Sequence, residues 1–240
     1  MGNIKIPTPV NDPSKTFNRT NIVGHINRIR DKNGNVMEYF DTYEKVDGSG
    51  EYHMFAAEIT AGDSKIRIKT FPSQKRPSYP KDLGDMVNDG DYVKIRGSLN
   101  ENYDEERDRV YREVYVYDLR FADEKENSPI IASTIRGKIS YVDFDMDEGL
   151  KLVLEVNSYE DRLDEYRLKG FGDNPYIQWL LEQNPQIGDV IQVGCYYINT
   201  IVEDEFGDIE DIKNFLEIKK IVHYNPVMNT SSASKKRGGF

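Results

Sequence analysis

The sequence predicts an all-β chain with one short helix per unit, arranged as two tandem five-stranded barrels. Three observations lead there. The 240 residues carry the same succession of short strands and turns twice. The strand segments alternate apolar and polar residues, the period expected of half-buried strands. In each copy one segment alone breaks that period, at the same place in the order. The length also suits two domains of ordinary size.

The first unit opens with IVGHINRI at 22–29 and the second with TIRGKISYV at 134–142. In each, a glycine stands two residues before an isoleucine, Gly24 before Ile26 and Gly137 before Ile139. Turn residues follow, KNGN at 32–35 and DMDEG at 145–149, which signal hairpins. The second strands are EYHMFAAEI (51–59) and LKLVLEV (150–156), and the third are KIRIKTF (65–71) and EYRLKGF (165–171). GDYVKIRG (90–97) then matches GDVIQVG (188–194), and VYREVYVYDLRF (110–121) matches NFLEIKKIVHY (214–224).

The helix falls between the third and fourth strands. In NPYIQWLLEQNP (174–185), Asn174 suits an N-cap, Pro175 the first helical position and Pro185 a stop. Ile177, Leu180 and Leu181 make one apolar face, beside which Trp179 is expected to pack beneath the barrel. YPKDLGDMVND (79–89) is the weaker counterpart. The expected division is an N-terminal arm at 1–20, a first domain at 21–121, a linker at 122–130, a second domain at 131–225 and a disordered basic tail at 226–240.

Composition excludes several classes. A single cysteine, Cys195, permits no intrachain disulfide and no cysteine zinc cluster. Three scattered histidines do not suggest a metal site, and no cofactor is expected. No apolar run approaches the ~20 residues of a membrane span, and MGNIKIPTPVNDP lacks a signal-peptide core, so a cytoplasmic protein without a membrane partner is expected. DFDMDEG (143–149) has alternating aspartates, but no Glu closes a calcium loop; a solvated hairpin tip is the expectation. There is no GxSxG and no Gly-rich phosphate loop, so no enzyme is expected.

Five strands with the helix between the third and fourth, and a Gly-Asp opening strand four, resemble the OB-fold. The tandem arrangement in a short, acidic chain rich in Tyr, Asn and Ile is similar to the single-stranded DNA-binding proteins of bacterial viruses. The resemblance implies that the second and third strands of each unit, with flanking loops, hold a nucleic-acid strand through aromatic and basic side chains. Many members end in an acidic tail with a terminal Phe that recruits partners. Here Phe240 follows the basic Lys235, Lys236 and Arg237.

The repeated third strand supplies the candidate site. Alternate side chains point to opposite faces of a strand, so Ile66, Ile68 and Thr70 are expected inside, with Lys65, Arg67, Lys69 and Phe71 outside. In the second copy Tyr166, Leu168 and Gly170 face in, and Arg167, Lys169 and Phe171 face out. Cations track phosphates, and aromatic planes stack on bases of any sequence. Lys75, Arg76 and Tyr79 extend the first groove, or form a plain surface loop. Tyr39, Phe40 and Tyr43 either clamp bases or pack an extended hairpin onto the first barrel.

The net charge of −10 opposes a nonspecific nucleic-acid binder, which usually has a basic footprint. ENYDEERDRVYRE (101–113) carries six carboxylates against three arginines, and EDEFGDIED (203–211) carries six without a cation. Two functions follow from these features. One is noncatalytic, sequence-independent binding of single-stranded DNA, or RNA, in replication and recombination, with protein partners engaged through the acidic loops or the tail. The other is a structural or adaptor protein, such as a phage tail component or replisome scaffold, whose OB units bind protein.

Overall fold

The structure, a computed structural model, describes residues 4–31, 33–45, 48–107, 109–158, 162–203 and 209–227. The first half contains β1 (Phe17–Asn27), β2 (Phe40–Glu44), β3 (Glu51–Ala61), β4 (Ser64–Thr70), α1 (Tyr79–Met86), β5 (Tyr92–Asp104) and β6 (Arg109–Phe121). The second contains β7 (Ile130–Asp145), β8 (Gly149–Asn157), β9 (Leu163–Gly170), α2 (Pro175–Glu182), β10 (Val190–Glu203) and β11 (Ile209–Asn225). Strands dominate and the helices are short, so the fold is all-β. Among the described residues no helix is long and apolar enough to cross a membrane.

The pairings of each half run in a ring. β1 pairs with β3 and β5, β3 with β4, and β5 with β6. A short parallel contact of Arg67–Lys69 with Glu113–Tyr115 brings β4 against β6. In the second half β7 pairs with β8 and β10, β8 with β9, and β10 with β11. There β9 meets β11 in parallel, at Leu168–Lys169. The parallel contacts are brief, so each ring is only partly closed, as in OB-folds.

The paired glycines serve one purpose. A Cβ on Gly24 would stand 2.3 Å from the Thr60 carbonyl oxygen, and one on Gly137 would stand 2.6 Å from that of Glu155. Each first strand crosses its neighbour at a distance only glycine permits. The helix signals also act locally. Asn174 Oδ1 accepts from the Tyr176 N–H at 2.9 Å, and Ile177 and Leu180 are fully buried. Trp179 packs on the core with its ring edge-to-face on Tyr224.

Three features differ from the expected plan. The first connection contains an additional strand, β2, which pairs with β3 from Phe40↔Phe55 to Glu44↔Glu51. Tyr39 beside it is buried and donates to Asp89 Oδ1 at 2.6 Å, so this segment packs as an extended hairpin. β1 begins at Phe17, because the polar stretch FNRT pairs with a strand of the other half. The N-terminal segment is also tied down. Thr8 bridges His223, and the Val10 N–H donates to Asn225. Most of the expected tail lies outside the described residues.

The halves join through β1 and β7, which pair antiparallel from Phe17↔Arg136 to Val23↔Ile130. All eleven strands therefore form one sheet. Thr20 faces Ser133, and their buried hydroxyls lie 2.8 Å apart. Each of these residues stands four before the glycine of its strand, so equivalent positions face each other and a pseudo-twofold axis passes between them. Most buried apolar side chains of both halves belong to one cluster, with Val23, Ala56 and Tyr92 outside it.

Candidate nucleic-acid interface

Strand alternation sets the site's inner and outer rows. On β4, Ile66, Ile68 and Thr70 are buried, while Lys65 and Arg67 are exposed and Lys69 half-buried. On β9, Tyr166, Leu168 and Gly170 are buried, and Arg167 and Lys169 half-buried. Phe71 and Phe171 lie just past the strand ends. Phe71 is 37% exposed and Phe171 half-buried.

Each half assembles a lysine over two aromatic rings. Lys69 Nζ lies 5.7 Å from the Phe71 centroid and 5.0 Å from that of Tyr115. Lys169 Nζ lies 5.5 Å from Phe171 and 5.8 Å from Phe215. Such cation–π contacts hold the ammonium over the rings. The first cluster is longer, because Tyr52 packs at 5.8 Å on Phe71 and at 5.6 Å on Tyr43. The second ends at the edge-to-face pair Phe171–Phe215.

A cleft of about 500 Å³ joins Phe71, Lys75, Arg76 and Tyr79 to Tyr115 and Tyr117, bringing the loop after β4 against β6. Arg76 donates to the Tyr117 carbonyl at 3.1 Å and lies over the Tyr79 ring. Burial, and then the nearby Asp118, raise the Tyr79 phenol above its ordinary pKa. It remains a neutral ring at physiological pH. A second cleft, of about 620 Å³, shares Tyr115 and includes Lys65, Arg67, Tyr111 and Asn199. A third, of about 300 Å³, shares Val110, Arg112 and Asn214 with the second and holds Arg167, Lys169 and Phe215. The three clefts thus adjoin across both halves.

Several candidate cations already have acidic neighbours. Lys65 pairs with Glu58 at 3.6 Å, and Lys69 with Glu113. Arg167 reaches Glu101 at 3.3 Å and Glu165 at 3.1 Å, and its guanidinium lies 4.3 Å from the Tyr103 centroid. Arg167 therefore stands at the junction between the halves, where its backbone N–H also donates to Glu101. For Arg67 and Lys169 the described residues provide no ion-pair partner.

The acidic stretch 101–113 is largely strand. Glu101 and Arg112 face each other across β5 and β6 with side chains 0% and 1% exposed, joined at 2.8 Å. Arg112 also donates to the Asn214 side chain at 2.9 Å and to the Arg167 carbonyl at 3.2 Å. Glu101 is consequently neutralised within the fold, whereas Glu113, paired with Lys69, still lines the second cleft together with Glu58. Of the stretch 203–211, residues 204–208 lie outside the described residues.

Tyr52, Tyr111, Tyr115, Tyr117 and Phe215 join the site although the strand-three pattern did not point to them. The signal was present in VYREVYVYDLRF, where strand parity puts Tyr111, Tyr115 and Tyr117 on one side and buries Arg112, Val114 and Val116.

No family model and no curated protein sequence matches the chain. Among solved structures, the wild-type single-stranded DNA-binding protein from Thermus aquaticus matches 93% of this chain and 100% of its own, at TM-score 0.57 and 13% identity. A deletion variant of that protein covers 92% and 100%, at TM-score 0.58 and 12% identity. At such identity the likeness establishes the fold, and the chain shares that fold over nearly its whole length.

Proposed function

We propose that this chain binds single-stranded DNA without catalysis and largely independently of sequence, as a tandem of two OB units. The observation that carries this reading is the lysine held over two aromatic rings, repeated in both halves at the edge of adjoining clefts. Stacking on exposed rings accepts any base, and neighbouring cations accept the backbone. Duplex bases are already stacked and present no free faces. The likeness in fold to a protein named for single-strand binding supports the same reading.

In this reading Phe71 and Phe171 are the principal platforms. Lys65, Arg67, Lys69, Lys75, Arg76, Arg167 and Lys169 face the backbone, and Tyr79 backs the first cleft. Single strands are exposed during replication and recombination, and we place the protein there. The first-noted resemblance to proteins of bacterial viruses fits that role.

The test is a fluorescence titration with oligo-dT, oligo-U and a duplex of equal length. Preference for single strands with little dependence on base is expected, each unit covering about 4–16 nucleotides. Equal affinity for duplex would overturn the proposal.

A further inference from the structure

A second group of cations lies on another surface. On the sheet face turned away from the core, the strand register puts Lys94 and Arg96 of β5, Arg19 of β1, Arg136 of β7 and Lys220 of β11 into adjoining rows. Val23 stands opposite Lys94, and Asn21 opposite Arg96. Arg19 stands opposite Thr134, and Phe17 opposite Arg136. Thr134 stands opposite Gly194, and Gly194 opposite Lys220. The intervening residues Thr20, Ile22, Ile95 and Ile135 are buried beneath, which fixes the facing. β5, β1, β7, β10 and β11 are neighbours in that order, and four strand spacings extend about 19 Å.

These cations are less neutralised than those of the grooves. Among the described residues none of the five has a carboxylate within ion-pair distance. Of the acids on the same face, Asp118 pairs with Arg120 at 2.9 Å, Glu217 with Lys219 and Glu124 with His25 at 3.7 Å, while Glu155 of β8 stands opposite Lys138. Two guanidiniums, of Arg19 and Arg136, each lie 5.0 Å from the Phe17 centroid. A chain of net charge −10 thus keeps a row of cations without carboxylate partners on one sheet face, Arg136 donating instead to the Gln192 side chain at 2.9 Å. Clustered like charges repel one another, and a polyanion relieves that repulsion by displacing its own counterions.

We propose that this sheet face holds the sugar–phosphate backbone of a second segment of the single-stranded DNA bound in the grooves, an assignment that rests on the groove reading. The width suits several successive phosphates, whose axial spacing along a stacked strand is about 3.4 Å. The face has few exposed rings, so it contributes charge and little stacking.

The experiment compares three variants with the wild-type chain. The face variant carries Arg19→Gln, Lys94→Gln and Arg96→Gln, all at exposed positions. The groove variant carries Phe71→Ala and Phe171→Ala. The charge control carries Lys15→Gln, Lys81→Gln and Lys125→Gln. Each is melted, sedimented and titrated with oligo-dT of about 12 and about 60 nucleotides, below and above the ~16 of one OB site.

The face variant should bind the short oligomer normally and the long one about tenfold more weakly. Its salt slope on the long oligomer should flatten by about 2, from ~0.7 per lost contact. The charge control should change neither. Long-oligomer binding equal to wild type, or equal losses in the charge control, would overturn the inference and leave the groove reading intact. So would a change in sedimentation with binding unaffected, which would make the face a contact between copies. If the groove variant keeps long-oligomer binding that the face variant loses, the groove reading falls, and with it the assignment of the face to a second segment; the face would then be the primary site. Absence of wild-type binding to either oligomer removes both.

Discussion

Each half sends its last hairpin across to the other, and the two crossings differ in chemistry. The β5–β6 hairpin reaches the second half through charge. Glu101 and Arg112, both fully buried, engage Arg167 and Asn214. The β10–β11 hairpin reaches the first half through neutral groups. There the Asn199 side chain donates to the Lys65 carbonyl at 2.8 Å, and its N–H to Ser64 Oγ at 3.2 Å. Desolvating a charge is expensive, and removing one partner strands the other. A lost neutral hydrogen bond at a half-buried position costs far less. Breaking the first contact therefore costs more than breaking the second. The charged crossing also carries Arg167, which lines the cleft of the second half.

The largest test of this contrast is Glu101→Ala, which leaves Arg112 buried without its anion. It should cost about 3–5 kcal/mol of stability, whereas Asn199→Ala should cost about 1 kcal/mol. Urea denaturation of the two variants measures both. Similar losses would break the comparison and make the crossings equivalent.

The next effect concerns the grooves that the junction holds together. Phe71→Ala should cost about 1–3 kcal/mol of oligo-dT affinity with the fold intact. Phe171→Ala should cost less, since Tyr52 and the Arg76–Tyr79 loop extend only the first cluster. Thermal melting beside the titration separates stacking from packing. A loss of about 3–5 kcal/mol of stability in either variant would make that ring a core residue.

Salt gives a smaller and more general reading. For a short oligomer confined to the grooves, about four phosphate contacts predict a log–log slope near −3. A slope near zero would leave stacking alone to hold the strand, and would detach Lys65, Arg67 and Lys169 from binding.

The gentlest probe uses the single cysteine, which is buried and donates to the Ser133 carbonyl. Burial pushes the Cys195 thiol up to about 12. The native protein should resist a thiol reagent near pH 8, because the nucleophile is the thiolate. Modification should accelerate in Glu101→Ala and hardly change in Asn199→Ala. Rapid labelling of the wild-type chain would show that the sheet opens at β10 without global unfolding.

Much of the fold was legible because its signals are local. KIRIKTF and EYRLKGF alternate at strand period, and their apolar residues are buried on β4 and β9. Asn174 and Pro175 mark a helix start within two residues. Gly24 and Gly137 recur because each strand makes the same close crossing. What escaped depends on partners distant in sequence. FNRT reads as a polar arm until β7 pairs with it. Glu101 reads as part of a charged loop, and Arg112 as an ordinary strand cation, until their long hairpin reaches the other half. The acidic partners of Lys65 and Lys69 come from β3 and β6, and nothing in the β4 segment alone identifies them. Tyr115 was visible by parity but became a candidate only once β6 lay beside β4.

The pseudo-twofold axis between Thr20 and Ser133 has a further consequence, because a nucleic-acid strand has a direction. Rotation by half a turn reverses the sense of any path lying across the axis. If the two grooves prefer one chemical polarity relative to their own strands, they present opposite polarities to a straight ligand. A 5′-to-3′ segment seated in the first half would meet the second half in its disfavoured sense. One continuous strand can satisfy both only by turning back on itself between them, whereas two antiparallel strands can each occupy one groove directly. On that condition the proposed grooves would distinguish a looped ligand from a linear one, and oligomers of fixed length joined 5′-to-5′, 3′-to-3′ or head-to-tail should report the distinction as a difference in affinity.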